Sequence, residues 1–323
     1  MHDQKLVYDI LIIGGGVSGF AAAMYAGRFQ MKTLVIGETT GGTIILTDLV
    51  ENYPGFKKLT GMELADKIKE HALAYDVDLL EDKVTKVAKC KEGCYRIMTS
   101  KQSFHTKTLI FATGTEWRKL GVPGEKEFAN KGVHYCALCD GPFYKGKTIG
   151  IVGGSDSAAK EALLLANYGE KVYIIYRGEK IRPEPVNKRR VEENPKIEVI
   201  NNTNVLEIHG DEFVRKVIFD KPYKGSTEFI LDALFIEIGH IPLSQLAKDI
   251  GVETNQKGEI IIDRESKTNL PGAFAAGDVV DTIFKQAITG VAEGVIAAYN
   301  AYQYINESEI ICTCDDEEIE ASK

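Results

Sequence analysis

Residues 10–19 read Ile-Leu-Ile-Ile-Gly-Gly-Gly-Val-Ser-Gly, an apolar run that leads directly into a glycine-rich turn. The alanine-rich segment from Phe20 to Arg28 follows and has the composition of a helix. In a strand-turn-helix unit of this kind, Gly14 permits the tight turn, Gly16 lets a pyrophosphate approach the backbone, and Gly19 lets the helix pack closely on the strand. The stretch therefore predicts a dinucleotide-binding α/β fold at the start of the chain.

A second apolar strand supports this prediction. Thr33 to Ile36 is apolar and leads to Gly37-Glu38, about 20 residues after the glycines. An acid at this place can bind the ribose of an adenosine. Glu38 is therefore a candidate ribose ligand.

The same pattern recurs in the middle of the chain. The strand Thr148 to Val152 leads into Gly153-Gly154-Ser155-Asp156-Ser157-Ala158, and an apolar-faced helix is predicted from Ala159 to about Tyr168. The side chain of Ser155 crowds the position where a pyrophosphate would approach. The sequence thus predicts either a second nucleotide-binding fold or a fold of that type kept only for its shape.

The strand that follows, Val172 to Tyr176, bears on which nucleotide this second fold would bind. No acid stands at its end, and the cations Arg177, Lys180 and Arg182 come directly after it. Guanidinium and ammonium groups bind a 2′-phosphate, whereas an acid binds a free ribose hydroxyl. If this fold binds a nicotinamide nucleotide, NADPH is favoured over NADH.

Two cysteines lie just before the second glycine-rich turn, in Cys136-Ala137-Leu138-Cys139-Asp140. Two thiols at this spacing can form a reversible disulfide and so carry two electrons. The carboxyl group of Asp140 is placed to move a proton. The same spacing also occurs in half of a zinc site, so these residues alone leave both possibilities open.

Composition narrows the class of protein. The chain has 323 residues, of which 44% are hydrophobic, and its net charge is −8. A chain of this length can bury two domain cores, and the negative charge argues against a nucleic-acid partner. No apolar segment approaches the roughly 20 residues that span a bilayer. We expect a cytoplasmic protein that has no membrane partner, in which six cysteines serve redox or metal chemistry.

A third candidate nucleotide-contacting turn lies towards the C-terminus. Pro271 to Asp278 reads as a short buried strand that ends in a Gly-Asp turn, and a long helix is predicted from Ala287 to Tyr304 after Gln286. A carboxylate at a strand end can accept hydrogen bonds from a ribitol chain, although Gly-Asp is also an ordinary turn.

Taken together, these motifs resemble the low-molecular-weight thioredoxin reductases over nearly the whole chain. The matching segments are Gly14 to Gly19, Gly41-Gly42, Val50 to Gly55, Ala112-Thr113-Gly114, Cys136 to Gly141, Gly153 to Ala158, Ile238 to Pro242, Phe274 to Asp278 and Gln286-Ala287. The resemblance implies an α/β protein with two Rossmann-like three-layer domains. It further implies FAD and NADPH as cofactors, a thioredoxin-like protein substrate, a homodimer and a domain rotation during turnover.

The resemblance also implies roles for individual residues. Cys139 would form the transient flavin adduct, Cys136 would attack the substrate disulfide, and Asp140 would donate and accept the proton. FAD would contact a set of turn and cleft residues, namely Gly14, Gly16, Ser18, Gly19, Glu38, Gly42, Asn52, Thr113, Gly114, Asp278, Lys285, Gln286 and Ala287. The nicotinamide nucleotide would contact Gly153, Gly154, Ser155, Asp156, Ser157, Arg177, Lys180, Arg182, Ile238 and Gly239. No metal ligands are expected.

The chain departs from the family pattern mainly where a nicotinamide nucleotide would bind. Ser155 replaces a glycine, Tyr176-Arg177-Gly178 replaces His-Arg-Arg, Lys285 replaces an arginine and Thr43 a glutamine. Our hypothesis is that NADPH binds weakly and that a reduced deazaflavin, ferredoxin or NADH can donate instead. Two further alternatives are a small-molecule dithiol oxidase and a non-enzymatic scaffold that holds zinc.

The motif order predicts the domain boundaries. Residues 1–118 and 245–323 would form the FAD-binding domain, and residues 119–244 an inserted NAD(P)-binding-type domain that carries the two cysteines. Thr115 to Arg118 and Leu243 to Gln245 would be the hinge strands.

Four further cysteines lie outside the matched motifs. Cys312-Thr313-Cys314 is a second dithiol, half of a metal site or an incidental part of an acidic tail. We expect Cys90 and Cys94 to be structural, and His134, His209 and His240 to be ordinary surface or packing residues.

Overall fold

The computed structural model describes residues 7–90, 93–308, 310 and 312 and divides the chain into two units. The discontinuous unit comprises Met1–Glu116 and Ile241–Lys323, and the inserted unit comprises Trp117–His240. The chain therefore crosses between the units slightly before residues 118 and 244, where the sequence placed the boundaries. The first crossing lies within the predicted hinge segment Thr115 to Arg118, whereas the second precedes the predicted segment Leu243 to Gln245.

Strands and helices alternate along most of the chain. The strands are β1 (Val7–Ile13), β2 (Thr33–Gly37), β3 (Val77–Glu81), β4 (Val84–Lys89), β5 (Tyr95–Thr99), β6 (Ser103–Phe111), β7 (Thr115–Trp117), β8 (Val133–His134), β9 (Thr148–Val152), β10 (Lys171–Ile175), β11 (Ile197–Ile200), β12 (Val205–Gly210), β13 (Val214–Tyr223), β14 (Ser226–Ile230), β15 (Ala233–Ile236), β16 (His240–Pro242) and β17 (Ala273–Ala275). The helices are α1 (Val17–Arg28), α2 (Gly61–Leu73), α3 (Ala137–Asp140), α4 (Asp156–Leu165), α5 (Pro185–Glu193), α6 (Gln245–Lys248) and α7 (Ala287–Glu307), and Thr43–Leu46 and Gly141–Tyr144 form 3₁₀ turns.

The discontinuous unit is built on a seven-stranded sheet in the order β3-β2-β1-β6-β5-β4, with β17 also paired to β6. Strands β1, β2, β3, β6 and β17 are parallel to one another. Because successive side chains of a strand point to opposite faces, Ile10 and Ile12 pack under α1 and α7, whereas Leu11 and Ile13 pack into the core on the other face. The unit therefore has three layers.

The inserted unit repeats this plan with a parallel sheet in the order β11-β10-β9-β15-β8. One face of this sheet packs on α4 through Ile149 and Ile151, and the other packs on the antiparallel strands β12, β13 and β14 through Val152 and Leu234. The predicted fold class, two Rossmann-like three-layer domains, is confirmed.

The helix α7 packs along α1 through small residues. Gly290, Gly294 and Ala297 are buried on α7, opposite the buried alanines of α1. A Cβ atom at Gly294 would overlap the backbone carbonyl oxygen of Ser18, so the two helices approach as closely as backbones allow. Among the described helices, α7 included, none is both long enough and apolar enough to cross a membrane.

Candidate active site

The two cysteines of the Cys-x-x-Cys motif lie at the start of α3, in the inserted unit. Cys136 caps the helix, its Cα lies 5.4 Å from that of Cys139, and the two residues form a disulfide. The backbone N–H of Cys139 points at Cys136 Sγ from 3.2 Å. A donor in this place can hydrogen-bond to negative charge on Cys136 Sγ once the disulfide is reduced.

The two sulfurs differ in exposure. Cys136 is only 7% exposed, whereas Cys139 belongs to the exposed residues. A disulfide is attacked by a sulfur that can approach it in line, which a buried atom cannot do. The exposure therefore makes Cys139, and not Cys136, the sulfur that a bulky substrate can reach in this conformation.

A buried histidine connects Asp140 to the interior of the unit. His134 Nδ1 lies 3.1 Å from Asp140 Oδ2, and its Nε2 lies 2.7 Å from the hydroxyl of Tyr144. Burial lowers the pKa of His134, against the opposing influence of Asp140, and the ring stacks on Phe235. A neutral imidazole in this position can pass a proton to and from Asp140. His134 is thus a buried packing residue, which agrees with the expectation that it is an ordinary surface or packing residue, and it also contacts Asp140.

Two buried glutamates lie behind the Cys-x-x-Cys helix, and nothing in the motif spacing indicated them. The N–H of Ala137 donates to Glu161 Oε1 at 3.2 Å, and Glu237 is 5% exposed. Burial raises the pKa of Glu161 to about 7, and burial together with the adjacent Glu161 raises the pKa of Glu237 to about 9. Near neutral pH the carboxyl group of Glu237 is therefore protonated.

The first glycine-rich turn in the discontinuous unit has the geometry expected of a pyrophosphate site. Gly14 adopts φ +122°, and a Cβ there would overlap the carbonyl oxygen of Ala112. Gly16 caps α1 without any side-chain cap, the first turn of the helix carries no acid, and the nearest atom to a Cβ at Gly16 would be 3.7 Å away. The N–H groups at this helix start are thus available to an anion, while Gly19 packs on Gly14.

The other candidate FAD contacts of this unit follow the carboxyl ends of its parallel strands. Glu38 follows β2 and pairs with Lys83 at 3.1 Å, Thr113 and Gly114 follow β6, and Asp278 follows β17. Asn52 Nδ2 donates to Gln286 Oε1 at 2.9 Å, at the start of α7. Ligands of open parallel sheets bind at this edge, so the residues present fit a dinucleotide.

Four more of these positions are held by packing or by hydrogen bonds within the unit. Ser18 faces the backbone of Gly277, Gly42 adopts φ +68° beside Gly16, and Ala287 packs on the cluster around Val50. Lys285 Nζ lies 3.0 Å from Glu259 Oε1 and donates to the carbonyl oxygen of Asp278 at 2.9 Å.

The buried Glu293 was not predicted from the sequence, yet it holds the Gly277-Asp278 turn. Its Oε2 accepts the N–H of Gly277 at 2.8 Å, and Thr282 donates to its Oε1. Burial raises the pKa of Glu293, and these two donors oppose the rise.

The second glycine-rich turn, in the inserted unit, is covered by the ring of Tyr176. A Cβ atom at Gly154 or at Gly178 would overlap this ring. Arg182 contacts both the tyrosine and the turn. Its guanidinium group donates to the Tyr176 hydroxyl at 3.0 Å, and its backbone N–H donates to the carbonyl oxygen of Gly154 at 2.7 Å. The tyrosine therefore fills space beside the turn that a nucleotide would need.

The start of α4 also differs from the start of α1. Ser155 is exposed, and Asp156 lies in the first turn, where its charge opposes a bound phosphate. Asp156 accepts the N–H of Glu184 at 2.8 Å and pairs with Lys160 at 2.9 Å. Burial would raise the pKa of Asp156, but these interactions and the side chain of Asn187 lower it below its usual value.

The remaining candidate nicotinamide contacts lie near this turn in sequence or in space. Ser157, Arg177 and Lys180 are exposed, while Gly153 packs against the backbone of Glu237, directly before Ile238-Gly239. Among the residues that the structure describes, no three His, Cys, Asp or Glu side chains are arranged to hold a metal ion. Cys314 lies outside the described residues.

Comparisons with known proteins agree with this arrangement. A family model described as pyridine nucleotide-disulphide oxidoreductase matches residues 8–294. Thioredoxin reductase of Treponema pallidum is 38% identical over 302 residues, which cover 93% of this chain and 97% of that protein. The crystal structure of Lactococcus lactis thioredoxin reductase matches with a TM-score of 0.89 at 38% identity, over 93% of this chain and 100% of that one. A ferredoxin-flavin thioredoxin reductase from Clostridium acetobutylicum matches with a TM-score of 0.52 at 31% identity, over 94% and 100% of the two chains.

Proposed function

Because this chain belongs to the pyridine nucleotide-disulphide oxidoreductase family, we propose that it is a flavoprotein disulfide reductase acting on a thioredoxin-like protein. Two electrons would pass from a reduced donor through FAD to the Cys136–Cys139 pair and on to the substrate disulfide. The observation that carries this proposal is the Cys136–Cys139 disulfide with Asp140 and His134 beside it, on a unit separate from the intact glycine-rich turn at Gly14.

FAD would be held by the discontinuous unit, with its pyrophosphate at the start of α1, its adenosine ribose near Glu38 and its ring system near Asn52 and Gln286. When bound, it would supply a redox-active ring that accepts electrons from the donor, which no side chain provides. The residues named above would orient it, and Asp140 with His134 would provide the proton route for the thiols.

In the thiol exchange we propose that Cys139 attacks the substrate disulfide and that Cys136 resolves the mixed disulfide. This reverses the order that the sequence resemblance implies for the two cysteines. It is supported by the exposure of Cys139 and by the N–H of Cys139 that stabilises a thiolate at the buried Cys136.

We propose that NADPH donates electrons weakly and that ferredoxin, a reduced deazaflavin or NADH can replace it. Tyr176 covers the second glycine-rich turn, and Gly178 supplies no guanidinium to a 2′-phosphate. Losing one charged hydrogen-bonding group costs about 1.5–3 kcal/mol, or roughly a ten- to hundred-fold loss of affinity. One of the similar proteins is itself named a ferredoxin-flavin thioredoxin reductase.

The test is an anaerobic titration of the flavin-loaded protein with NADPH, NADH and reduced ferredoxin, followed by assays with oxidised thioredoxin. We expect ferredoxin to bleach the flavin and NADPH to bleach it only at high concentration. The double variant Tyr176→His, Gly178→Arg should bind NADPH roughly ten- to hundred-fold more tightly, while the control Glu179→Gln should not. Complete bleaching of the unaltered protein by micromolar NADPH would refute the donor proposal, and bleached protein that leaves thioredoxin oxidised would refute the substrate.

We also propose a homodimer and a cytoplasmic location. Light scattering of the flavin-loaded protein tests the first, because a monomer mass across the working concentration range would contradict it. Cell fractionation tests the second.

A further inference from the structure

The carboxyl group of Glu161 reaches the Cys-x-x-Cys motif from the interior of the inserted unit. Its Oε1 accepts the backbone N–H of Ala137 at 3.2 Å, and Ala137 is 0% exposed. The amide nitrogen of Ala137 is bonded to the carbonyl carbon of Cys136, so the carboxyl group lies beside a residue that carries one of the two redox-active sulfurs. A negative charge on Glu161 therefore acts on Cys136 at short range and away from solvent.

Two N–H groups in the first turn of α3 serve different partners. The N–H of Cys139 points at Cys136 Sγ from 3.2 Å, whereas the N–H of Ala137 donates to Glu161. A hydrogen bond from an N–H favours a thiolate, and a like charge nearby disfavours it. Glu161 thus occupies one N–H next to Cys136 and, when ionised, adds a negative charge there.

Glu237 limits the number of negative charges at this place. Its side chain is 5% exposed and lies beside Glu161. Oε2 of Glu161 is buried, and no backbone N–H or basic side chain of the described residues donates to it. A second carboxylate here would be repelled without compensation, which agrees with the pKa of about 7 for Glu161 and of about 9 for Glu237. At pH 8 the two side chains therefore carry one negative charge, on Glu161.

We propose that Glu161 is a positioning residue that makes the Cys136–Cys139 pair a stronger reductant. Its carboxylate holds the first turn of α3 through the N–H of Ala137 and opposes a thiolate at Cys136. A dithiol whose thiolate is stabilised is a stronger oxidant, so one whose thiolate is destabilised gives up its electrons more readily. The inference rests on the proposed disulfide-reductase function, because it concerns how strongly the pair drives electrons towards a substrate disulfide.

The charge acts on one side of the redox equilibrium. A dithiol supplies two electrons and two protons as its own disulfide closes, and the Cys136–Cys139 bond breaks. One proton goes to Cys139 Sγ, while the other stays on Cys136 Sγ or passes to solvent and leaves a thiolate. The carboxylate of Glu161 raises the free energy of that thiolate but has no such effect on the uncharged disulfide, so it favours the oxidised pair.

The other ionisable side chains of α3, α4 and the strand beside them interact with one another. These are Asp140 with His134, Tyr144 with the same histidine ring, and Asp156 with Lys160. The pKa shifts of Glu161 and Glu237 arise from burial, from the N–H of Ala137 and from each other. A change of the redox equilibrium that depends on Glu161 and titrates near pH 7 therefore reports the charge of this pair.

The experiment measures the reduced fraction of the two cysteines in the flavin-loaded protein, equilibrated without oxygen in mixtures of reduced and oxidised dithiothreitol and then alkylated. Trypsin releases both cysteines in residues 132–145, so the mass of this peptide reports their redox state alone. At pH 8, Glu161→Gln should be half reduced at a roughly tenfold lower ratio of reduced to oxidised dithiothreitol, a shift of about 30 mV. The glutamine keeps an oxygen for the N–H of Ala137 and loses the charge.

Glu237→Gln is the matched control, because it alters the neighbouring carboxyl group and leaves the charge on Glu161. Its midpoint at pH 8 should equal that of the unaltered protein. The double variant Glu161→Gln, Glu237→Gln carries no charge here and should shift at least as far as Glu161→Gln, which keeps the test decisive if the single variant does not fold. At pH 6 the unaltered protein holds a proton on Glu161, whose pKa is about 7, so the shift should largely disappear.

Three outcomes would overturn the proposal. The first is the same midpoint in the unaltered protein, Glu161→Gln and the double variant at pH 8. The second is a shift as large at pH 6 as at pH 8, because a change of packing does not titrate, and the third is an equal shift in Glu237→Gln. Since the measurement uses dithiothreitol, a chain that leaves thioredoxin oxidised would still show the expected shift, so failure of the proposed function is recognised separately.

Discussion

At the scale of single residues, the Cys136–Cys139 pair separates two properties that a reactive thiol usually combines. Cys139 is accessible, whereas Cys136 receives the N–H that stabilises a thiolate. These two properties agree with the proposed division of roles, in which Cys139 forms the mixed disulfide and Cys136 breaks it.

This division predicts different behaviour for two serine variants. Reduced Cys136→Ser should form a stable mixed disulfide with a single-cysteine thioredoxin whose thiol is first converted to a disulfide with thionitrobenzoate, because Cys139 can still attack that disulfide and release thionitrobenzoate. Reduced Cys139→Ser should form essentially none, and both variants should lose turnover. Non-reducing electrophoresis measures the complex, and a complex formed by Cys139→Ser alone would show that Cys136 is the attacking thiol.

The pair Glu161 and Glu237 predicts a pH-dependent stability. The pKa of Glu237 is raised from 4.5 to about 9 by burial and by Glu161. Between pH 4.5 and about pH 9 the folded protein holds a proton on Glu237 that the unfolded chain has released. The contribution of this proton to the free energy of unfolding is therefore complete below about pH 4.5 and is lost as the pH rises through about 9. Glu237→Gln stays neutral, so it should gain at least about 1.4 kcal/mol relative to the unaltered protein between pH 5 and pH 9.

Thermal melts of the two proteins at several pH values check this prediction. The control is Glu179→Gln, an exposed glutamate of the same unit, which should follow the unaltered protein throughout. Parallel pH curves for Glu237→Gln and the unaltered protein would show that Glu237 titrates normally.

These residues show which part of the site the sequence could reveal. The glycines of each turn lie within a few positions of one another in the sequence, and so do the residues from Cys136 to Asp140. The spacing within each motif is therefore enough to predict its chemistry. Glu161 on α4 lies beside Glu237 at the end of β15, and His134 on β8 stacks on Phe235 of β15. Both contacts depend on the sheet order, which places β15 between β8 and β9. No local sequence pattern predicts contacts between residues that are this far apart in the chain.

At the scale of elements, α1 and α7 pack closely against each other in the discontinuous unit. Gly294 has no room for a Cβ, since the carbonyl oxygen of Ser18 occupies that space. Gly294→Ala should force the helices apart and cost about 1–3 kcal/mol, which lowers the melting temperature by about 2–10 °C. Calorimetry measures it, with Ile296→Ala on the exposed side of α7 as the control. A variant as stable as the unaltered protein would mean that the helices separate without cost.

The elements themselves were largely predictable, because apolar runs bounded by glycines mark buried parallel strands. The residues at which the helices begin and end were less predictable. Helix α1 begins at Val17 and α4 at Asp156, each about a turn before the position predicted, because Gly16 and Ser155 are the extended capping residues. Similarly α4 ends at Leu165, where the N–H of the capping Ala166 still bonds to Ala162. Hydrophobic periodicity marks the buried face of a helix and not its first turn.

At the scale of the whole molecule, each unit has its own core, which suggests that the discontinuous unit can exist alone. The N–H of Arg118 donates to the carbonyl oxygen of Gly239 at 2.9 Å, so the chain leaves and returns at adjacent points. Replacing residues 119–238 with a short glycine-rich turn should leave a folded protein that binds FAD but reduces no disulfide. Circular dichroism and retained yellow colour check this, and an unfolded or colourless product would contradict it.

The order of the domains could be predicted because their motifs follow one another along the sequence. The exact residues at which the chain passes from one unit to the other, 116 and 240, depend on which short strands pair. Strands β7 and β16 pair with each other, and their sequences carry no strong strand pattern.

The pairing of β17 with β6 and of α7 with α1 has a consequence for the order in which a newly made chain folds. The inserted unit is complete once the ribosome has added His240, but the larger sheet still lacks a strand and its covering helix until the last part of the chain emerges. Throughout that interval α1 lacks α7, the helix that packs along its buried alanines. We therefore expect the middle of the polypeptide to fold first and the first residues synthesised to reach their final structure last, together with the C-terminus.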